Sequence, residues 1–560
     1  MKKIGILSIF TLLLFAISCK EDFLDETPSA FLSTSNAFKT ADDFNASINR
    51  LYGQVREEFY SRSDWQPMQY LYRTDLGIEV AVGSNPNLSG DFSPTGGLSN
   101  NHWSQLFKIV ADANTILSRI PTSSLSAADK ISFEAKAKFF RGLAYRTIVY
   151  LWGGVPIVKE EIVAEKTDFV RATKKEVLTF IIEDLKFAAA NLPAITAVKD
   201  GEIANLVAQH LLSEVYLADG QFKNAADAAT TVISNPAMGL MTARFGARST
   251  VTPGDVYWDL FQIKNQNRKS ANNKEALWVI QFETDIQGGG ATSTAMAGSF
   301  LMERVHVPLF RDMRVNGVSV FRWPIGDYTG GRGVGFLQPT RHFADSVWKS
   351  DFTNDIRNAN HNFVREFVGT NPGSPFFGKT ISVSNPPPGS GITYPSRVFY
   401  AYQSKATQPF NHPAGLYVNP GSTDPIKKFE VKSSAGGTYA DQYMFRLAET
   451  YLLRAEANLG LNNAAAAAAD INLVRARAKA SPVLPANVTL DYILDERLRE
   501  LGVEEKRMLT LMRMDKLVDR VTRFNSFYAP NMKPHFNLWA IPQGEIERNR
   551  SAVLAQNPGY

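Results

Sequence analysis

The chain has 560 residues, of which 44% are hydrophobic and 21% are charged, and its formal net charge is +5 at pH 7. This composition predicts a globular protein with a large buried core and excludes an intrinsically disordered chain. The single cysteine excludes an intrachain disulfide framework and a cysteine-based zinc or iron–sulfur site. The sequence contains no run of five or six like charges, which argues against a nucleic-acid partner.

The N-terminus has the parts of a secretory signal peptide. Met1-Lys2-Lys3 is basic, and the apolar stretch from Ile4 to Ile17 is shorter than the about 20 residues that a transmembrane helix needs. The only cysteine follows this stretch, and Ala16-Ile17-Ser18-Cys19 resembles a bacterial lipobox, whose cysteine becomes lipid-modified. We therefore predict a signal peptide at 1–18, with Cys19 as the lipid anchor of a tether at 19–30. Several acyl chains would attach the protein stably to a membrane.

Several segments carry apolar residues at intervals of three and four, the spacing of one face of a helix. The first such segment begins at Phe38, and Ser35 is its predicted N-cap. The same pattern predicts helices from Ile131 to Trp152 and from Thr173 to Asn191, and another after Pro485. Residues 61–102, in contrast, are rich in Gly, Asn, Ser and Pro and are predicted to be a long loop region.

Two segments resemble tetratricopeptide repeats, which are pairs of antiparallel helices. In residues 203–236, Tyr216 precedes a turn at Gly220, and Ala225 provides a small residue where two helices cross. Residues 442–480 form a looser copy. Because about three repeats are needed for a stable stack, the helices predicted at 100–119 and 131–152 are interpreted as further copies.

The segment 245–440 lacks strong helical periodicity and is rich in Gly, Pro, Asn, Thr and aromatic residues. A structureless segment of this length is incompatible with a compact protein, so short strands such as Leu277–Phe282 and short helices are expected there. The predicted fold is mainly α, with tetratricopeptide-like helical repeats and a large irregular ligand-binding lobe. The predicted organisation is a helical scaffold at 31–244, the irregular lobe at 245–440 and C-terminal helices at 441–560.

The motifs that could carry catalysis are weak. Gly373–Thr380 matches the P-loop string, but Pro375 lacks an N–H, and Pro386-Pro387-Pro388 follows where a helix should run, so a nucleotide site is rejected. The seven histidines include no pair at metal-ligand spacing, and no serine lies in a nucleophile elbow. We therefore predict no catalytic residues, no metal and no cofactor.

Aromatic residues in the loops lie close in sequence to amide and charged groups, and this combination suits sugars. Aromatic faces stack on the C–H patches of sugar rings, while Asp, Asn and Arg exchange hydrogen bonds with hydroxyl groups. Taken singly, each of these aromatic residues is more simply explained by core packing, and Trp103 in particular begins a helical run. The predicted ligand-binding residues are Trp65, Tyr72, Asp75, Asn101, Trp103, Trp323 and Tyr328.

Several motifs, in order along nearly the whole chain, are similar to those of the SusD/RagB family of Bacteroidetes outer-membrane nutrient-binding lipoproteins. After the lipobox cysteine come Lys20-Glu21-Asp22, which resembles a signal for the outer leaflet of the outer membrane, and Phe23-Leu24-Asp25. The other matching segments are 137–145 with 151–156, 446–457, 496–501 with Glu504 and Arg507, Ile541-Pro542, and 556–560.

This resemblance implies a non-catalytic protein, anchored by lipid to the outer membrane and facing the extracellular side. Such a protein would bind oligosaccharides and deliver them to a SusC-like TonB-dependent transporter, which the helical repeats would face. Only the ligand-binding regions carry over, as the aromatic loops at 61–103 and 257–336. Arg141, Glu449 and Glu456 match family motifs and are expected to pair within the helical core.

Three alternatives remain open from the sequence. The first is a peptide-binding member of the same family. The second is a surface glycoside hydrolase, which needs two carboxylates about 5–10 Å apart. The third is a protein-interaction scaffold that uses its helical repeats alone.

Overall fold

The computed structural model describes residues 38–61, 67–80, 84–290, 292–296, 298–323, 326, 330–407, 409–437 and 439–560. The predicted lipid anchor Cys19 lies outside these residues, as do the predicted N-cap Ser35 and the predicted ligand-binding residues Trp65 and Tyr328. Within the described residues, no helix is both long enough and apolar enough to cross a membrane.

The fold is mainly α-helical, as predicted. The described residues form sixteen α-helices: α1 Ala41–Arg56, α2 Gly97–Arg119, α3 Ala127–Trp152, α4 Lys174–Asn191, α5 Asn205–Ala218, α6 Phe222–Ile233, α7 Val256–Asp259, α8 Met302–His306, α9 Arg341–Ala344, α10 Pro425–Lys428, α11 Leu447–Gly460, α12 Ala464–Arg477, α13 Leu490–Glu500, α14 Arg507–Arg513, α15 Leu517–Phe524 and α16 Gln543–Arg548. Between Ile233 and Leu447, no described α-helix exceeds five residues.

The strands are short, and each described sheet has two strands. They are β1 Gly77–Glu79, β2 Ala276–Ile280, β3 Arg314–Val315, β4 Val318–Ser319, β5 Leu337–Pro339, β6 Phe363–Val364, β7 Glu366–Val368, β8 Thr380–Ser382, β9 Tyr402–Gln403 and β10 Gln442–Arg446. The antiparallel pairs are β1 with β5, β2 with β10, β3 with β4, β6 with β9 and β7 with β8. Because β8 begins at Thr380, a strand and not a helix follows the P-loop-like string Gly373–Thr380. The rejection of a nucleotide site rested on this expectation.

Side-chain caps begin three of the long helices. Thr40, not Ser35, caps α1, because its hydroxyl accepts from the backbone N–H of Asp43 in a capping box. Ser126 caps α3, and Thr173 forms a second capping box with Glu176 at the start of α4. These caps satisfy N–H groups that have no partner within the first turn of a helix.

The helices pack in the order expected of stacked pairs. Each of α2 to α5 contacts the next helix in sequence, α6 contacts α11, and α11 contacts α12. The stack therefore continues from Ile233 to Leu447 across the irregular segment. Ala225 on α6 is fully buried and packs beside Leu453 and Ala457 of α11, the close helix crossing for which a small residue was predicted.

Aromatic residues join the C-terminal segment to the helices. The Trp152 ring meets Trp103 edge-on at a centroid distance of 5.2 Å and Trp539 at 5.5 Å. The Trp152 Nε1–H lies 2.9 Å from both the Ser99 hydroxyl and the Ala540 carbonyl oxygen, so its polar group is satisfied in the core. All three tryptophans are buried.

Buried ion pairs connect the irregular segment to the C-terminal helices. The carboxylate of Glu500 on α13 accepts hydrogen bonds from Arg446, Arg477 and Arg357, and all four side chains are fully buried. Burial alone would raise the pKa of Glu500, but these guanidinium groups lower it to about 2. The carboxylate is therefore ionised, and removing either sign of charge would leave the other uncompensated.

The predicted structural pairs are confirmed. Arg141 on α3 binds Asp184 on α4 through two hydrogen bonds of 2.7 and 2.9 Å. Glu449 on α11 lies 2.6 Å from Arg497, and Glu456 accepts two hydrogen bonds from Arg513. These pairs join neighbouring helices, which accounts for the presence of charged residues in their interior.

Candidate functional site

Tyr72 and Asp75 do not belong to a ligand-facing surface, so this part of the site prediction is corrected. Both side chains are fully buried. Asp75 accepts hydrogen bonds of 2.8 and 2.7 Å from Arg507 and one of 2.7 Å from Arg520. The pKa of Asp75 would rise through burial, but the two guanidinium groups outweigh this effect and hold it well below its usual range. Asp75 therefore joins the loop before β1 to the C-terminal helices α14 and α15.

Asn101 and Trp103 lie on α2 and point in different directions. Side chains two positions apart on a helix differ in direction by about 200°, so one faces solvent when the other faces the core. Asn101 is exposed, whereas Trp103 is 5% exposed and stacks obliquely on Phe107 at 4.6 Å. Trp103 therefore acts mainly in core packing. Core packing was the simpler of the two interpretations that the sequence allowed, the other being ligand binding.

Trp323 is the predicted residue that the structure presents to solvent. Its side chain is 69% exposed, in the loop that follows β4. The Arg311 guanidinium lies 5.8 Å from the ring centroid, within cation–π range. The exposed ring leaves apolar surface in contact with water, and a ligand that stacks on this flat face would bury that surface.

The loop that carries Trp323 is fixed on both sides of the ring. The Arg322 backbone N–H donates to the Thr370 hydroxyl at 3.0 Å, and the Arg322 side chain binds Glu430 at 3.1 Å. Gly326 also forms a β-bridge with Glu430. Because its neighbours are held in this way, the ring of Trp323 projects from an anchored segment.

Beside this loop is a polar concavity of about 570 Å³. It is lined by Asn419, Gly421, Ser422, Lys427 and Glu430. Glu430 is shared, since it lines the concavity and binds the residue next to Trp323. We call Trp323, Arg311 and this concavity the Trp323 surface.

Thr407 and His412, close in sequence to this concavity, are both held by one buried carboxylate. Glu303 on α8 is 1% exposed, and its Oε2 accepts from the Thr407 hydroxyl at 2.6 Å and from His412 Nε2 at 2.8 Å. The backbone N–H of His412 donates in turn to the Tyr417 hydroxyl at 3.1 Å. The backbone of Val418 then donates to Glu430 at 2.9 Å, so the loop and the concavity have a fixed arrangement.

Two further concavities lie on the helical side of the molecule. One, of about 340 Å³, is lined by Trp103 and Phe107 of α2 and by Phe169, with Glu160 and Glu545 among its polar groups. The other, of about 400 Å³, lies between α1, α3, the 193–203 loop and the end of β2. The first is largely apolar, while the second brings together amide and charged side chains of both signs.

Sequence reasoning missed most of the Trp323 surface. Arg311, Asn419, Ser422, Lys427 and Glu430 were not among the predicted site residues, although Trp323 was. The first lies 12 residues before Trp323 and the others about 100 residues after it. The only available signal was the cluster of Gly, Pro and Asn near Pro420, which predicts a loop but does not show which loops meet.

Two family models match the chain. A model described as "SusD family" matches residues 274–560, which is more than half of the chain, and one described as "Starch-binding associating with outer membrane" matches residues 22–217. Among curated relatives, SusD-like protein P25 of Formosa agariphila is 23% identical over the full length of both chains. The starch-binding protein SusD of Bacteroides thetaiotaomicron is 31% identical over 135 residues, which cover 23% of this chain and 24% of that protein.

Solved structures share the fold. A SusD homolog from Bacteroides thetaiotaomicron superposes with a TM-score of 0.68 at 17% identity, covering 97% of this chain and all of that one. A laminarin-binding SusD-like protein superposes with a TM-score of 0.64 at 21% identity, covering 93% of this chain and all of that one. Together with the match over more than half of its length, these findings show that the chain belongs to the SusD family.

Proposed function

We propose that this protein binds oligosaccharides at the Trp323 surface without altering them chemically and delivers them to a SusC-like TonB-dependent transporter. The observation that carries the proposal is the exposed ring of Trp323 beside a concavity with carboxamide, hydroxyl, ammonium and carboxylate groups. Sugar rings offer both surfaces that this arrangement matches, namely C–H faces for stacking and hydroxyl groups for hydrogen bonding.

The chemistry of the surface is that of reversible binding. Stacking contacts and hydrogen bonds each contribute about 1 kcal/mol, so about four to eight of them together correspond to a Kd between about 1 mM and 1 μM. Such an affinity permits release to a transporter. Among the described residues that line the concavity, Glu430 is the only carboxylate, whereas glycoside hydrolysis ordinarily uses two. This favours binding over hydrolysis.

The relatives support a carbohydrate ligand. One structural neighbour is called laminarin-binding, one curated relative is called starch-binding, and another neighbour, from Bacteroides fluxus with a TM-score of 0.62, is called a surface glycan-binding protein. The description of one matching family model also refers to the outer membrane. These names support an outer-membrane protein that binds a glycan.

The test of the binding site is native electrophoresis of the mature protein in gels that contain laminarin or soluble starch. Binding slows migration, and we expect Trp323→Ala to abolish the retardation on the glycan that the wild-type protein binds. Phe352→Ala is the matched control, because it also removes a half-exposed aromatic ring but lies outside the Trp323 surface. Equal retardation of the wild-type protein and Trp323→Ala would refute the choice of site, and release of shorter sugars would refute a non-catalytic role.

The anchor and the transporter need separate tests. We expect Cys19→Ala to move the protein from the membrane fraction to the soluble fraction, because the acyl chains provide its attachment. A variant that stayed in the membrane fraction would refute this. Affinity purification of the lipidated protein from a mild detergent extract of outer membranes should recover a TonB-dependent transporter. Recovery of the protein alone would refute delivery to such a partner.

A further inference from the structure

Positive charge is concentrated in the two segments that form the Trp323 surface. Residues 298–337 and 396–437 contain ten Lys and Arg residues against five Asp and Glu residues. Their charge of +5 equals the net charge of the entire chain, so the remaining residues sum to zero. Lys405 is one of these cations, but it is buried and paired with Glu504, whereas Arg311 and Lys427 belong to the Trp323 surface itself.

Arg311 contributes to this excess beside the aromatic ring. Its guanidinium group lies over Trp323, and its nearest described carboxylate oxygen, on Asp312, is 3.7 Å away and beyond hydrogen-bond distance. Among the described residues, Arg311 Nη1 is buried without a hydrogen-bond partner. A guanidinium group stacked on a ring keeps its N–H groups in the plane, where they bind anionic oxygens.

Other arginines add to the positive charge around Arg311. Burial, together with the positive charges of Arg304 and Arg397, lowers the pKa of Arg311, although Asp312 opposes this effect. Burial and the charges of Arg304 and Arg311 likewise lower the pKa of Arg332. Within the described part of the chain, Arg332 and Arg397 form no ion pair and instead donate to the backbone carbonyls of Ser433 and Val334. The positive charges of these arginines therefore oppose one another, which favours the arrival of an anionic group.

The other side of the surface is also basic. Lys427 lines the concavity, and Lys428 and Lys432 lie in the same segment. Glu430 is the carboxylate of the concavity, and it already binds Arg322. An incoming anion would therefore meet Arg311 at the ring of Trp323 and Lys427 in the concavity.

We infer that the ligand of the Trp323 surface is an acidic glycan, whose carboxylate or sulfate oxygens neutralise Arg311 while a sugar ring stacks on Trp323. This inference rests on the proposed function and names the class of glycan. Carboxylate and sulfate groups each present a pair of anionic oxygens that a guanidinium group can bind with two parallel hydrogen bonds. Lys427, in the concavity, would bind the next acidic sugar unit along the glycan.

The test measures the affinity of the mature protein for polygalacturonate, dextran sulfate and neutral dextran by isothermal titration calorimetry. We expect at least one of the two acidic probes to bind at least about tenfold more tightly than dextran, because charge-assisted hydrogen bonds are stronger than neutral ones. Comparison of the first two probes shows whether carboxylates or sulfates are preferred. Raising the NaCl concentration should weaken this binding, since the cations of Arg311 and Lys427 are in contact with solvent.

The variants separate this inference from the proposed function. Arg311→Gln should weaken binding of the acidic probe about tenfold without lowering Tm, and Arg311→Lys should retain part of it. Arg50→Gln is the matched control, because it removes one positive charge from an exposed site on α1. If dextran or laminarin binds through Trp323 with no effect of Arg311→Gln, the inference is wrong and the proposed function survives. If no glycan binds through Trp323, both are wrong.

Discussion

Replacing Asp75 by Asn tests whether this residue is structural or binds ligand. The carboxylate is fully buried and accepts three hydrogen bonds from the guanidinium groups of Arg507 and Arg520. Breaking a buried ion pair on one side ordinarily costs about 3–5 kcal/mol, because a charge is left uncompensated. In Asp75→Asn, Arg507 would still have its ion pair with Glu505 at 3.1 Å, and Arg520 would still have its ion pair with Asp495. We therefore expect a loss at the lower end of this range, about 3 kcal/mol in the free energy of unfolding.

The assay is urea unfolding followed by tryptophan fluorescence, with the free energy of unfolding compared between the wild-type protein and Asp75→Asn. Asp168→Asn is the matched control, since this carboxylate is exposed and should change the free energy by less than about 0.5 kcal/mol. Retention on the glycan gel should be unchanged in Asp75→Asn at a temperature where the variant is folded. A variant of wild-type stability that no longer bound glycan would refute the structural assignment.

The pH dependence supplies a second measurement of the same pair. Because the pKa of Asp75 is lowered in the folded protein, its contribution to stability is complete above its unfolded pKa of about 4 and declines as the pH falls below that value. The difference in stability between the wild-type protein and Asp75→Asn should therefore be constant from pH 7 to pH 5 and become smaller toward pH 3. A difference that grew on acidification would contradict this reasoning.

Two further predictions concern stability. A Cβ at Gly53 on α1 would meet no atom within 4 Å, so Gly53→Ala should raise the free energy of unfolding by about 0.5–1 kcal/mol. A Cβ at Gly154 would lie 2.3 Å from a backbone oxygen, so Gly154→Ala should be destabilising. Equal effects in urea titrations would contradict this. Burial lowers the pKa of His210 to about 3, so the folded state resists protonation, and stability should fall below pH 6.5 by up to about 1.4 kcal/mol per pH unit. His210→Gln should show a smaller loss between pH 6 and pH 5, and an identical loss would show that His210 is not responsible.

The helical part of the fold could be predicted because its signal is local. The periodicity that predicts a helix from Ile131 to Trp152 lies within the helix itself, and the structure begins that helix only four residues earlier. Caps were less certain, because Thr40 and Ser35 are both suitable residue types, and the capping box of Thr40 depends on where the helix begins. The sequence predicted that Arg141 would pair within the helical core, but the spacing of residues could not show which residue would be its partner.

The site was harder to predict because exposure in a loop depends on distant residues. Asp75 and Trp323 look alike in sequence, since each lies in a loop close to Arg and aromatic residues. Asp75 is buried by arginines more than 430 residues later, whereas Trp323 remains exposed because no later segment that the structure describes covers it. Neither outcome can be read from a window of neighbouring residues. Of the predicted site residues that the structure describes, Asn101 and Trp323 face solvent, whereas Tyr72, Asp75 and Trp103 are buried.

The pairing of β2 with β10 has a consequence for how this protein could change its ligand. These strands adjoin residues 281–441, and their antiparallel pairing brings the two ends of that segment together on the helical stack. The chain therefore leaves the helical scaffold and returns to it at one place, the β2–β10 pair. A chimera joined at Ile280 and Gln442 could therefore carry the corresponding segment of a relative, and its glycan preference should follow the inserted segment while the helices stay unchanged.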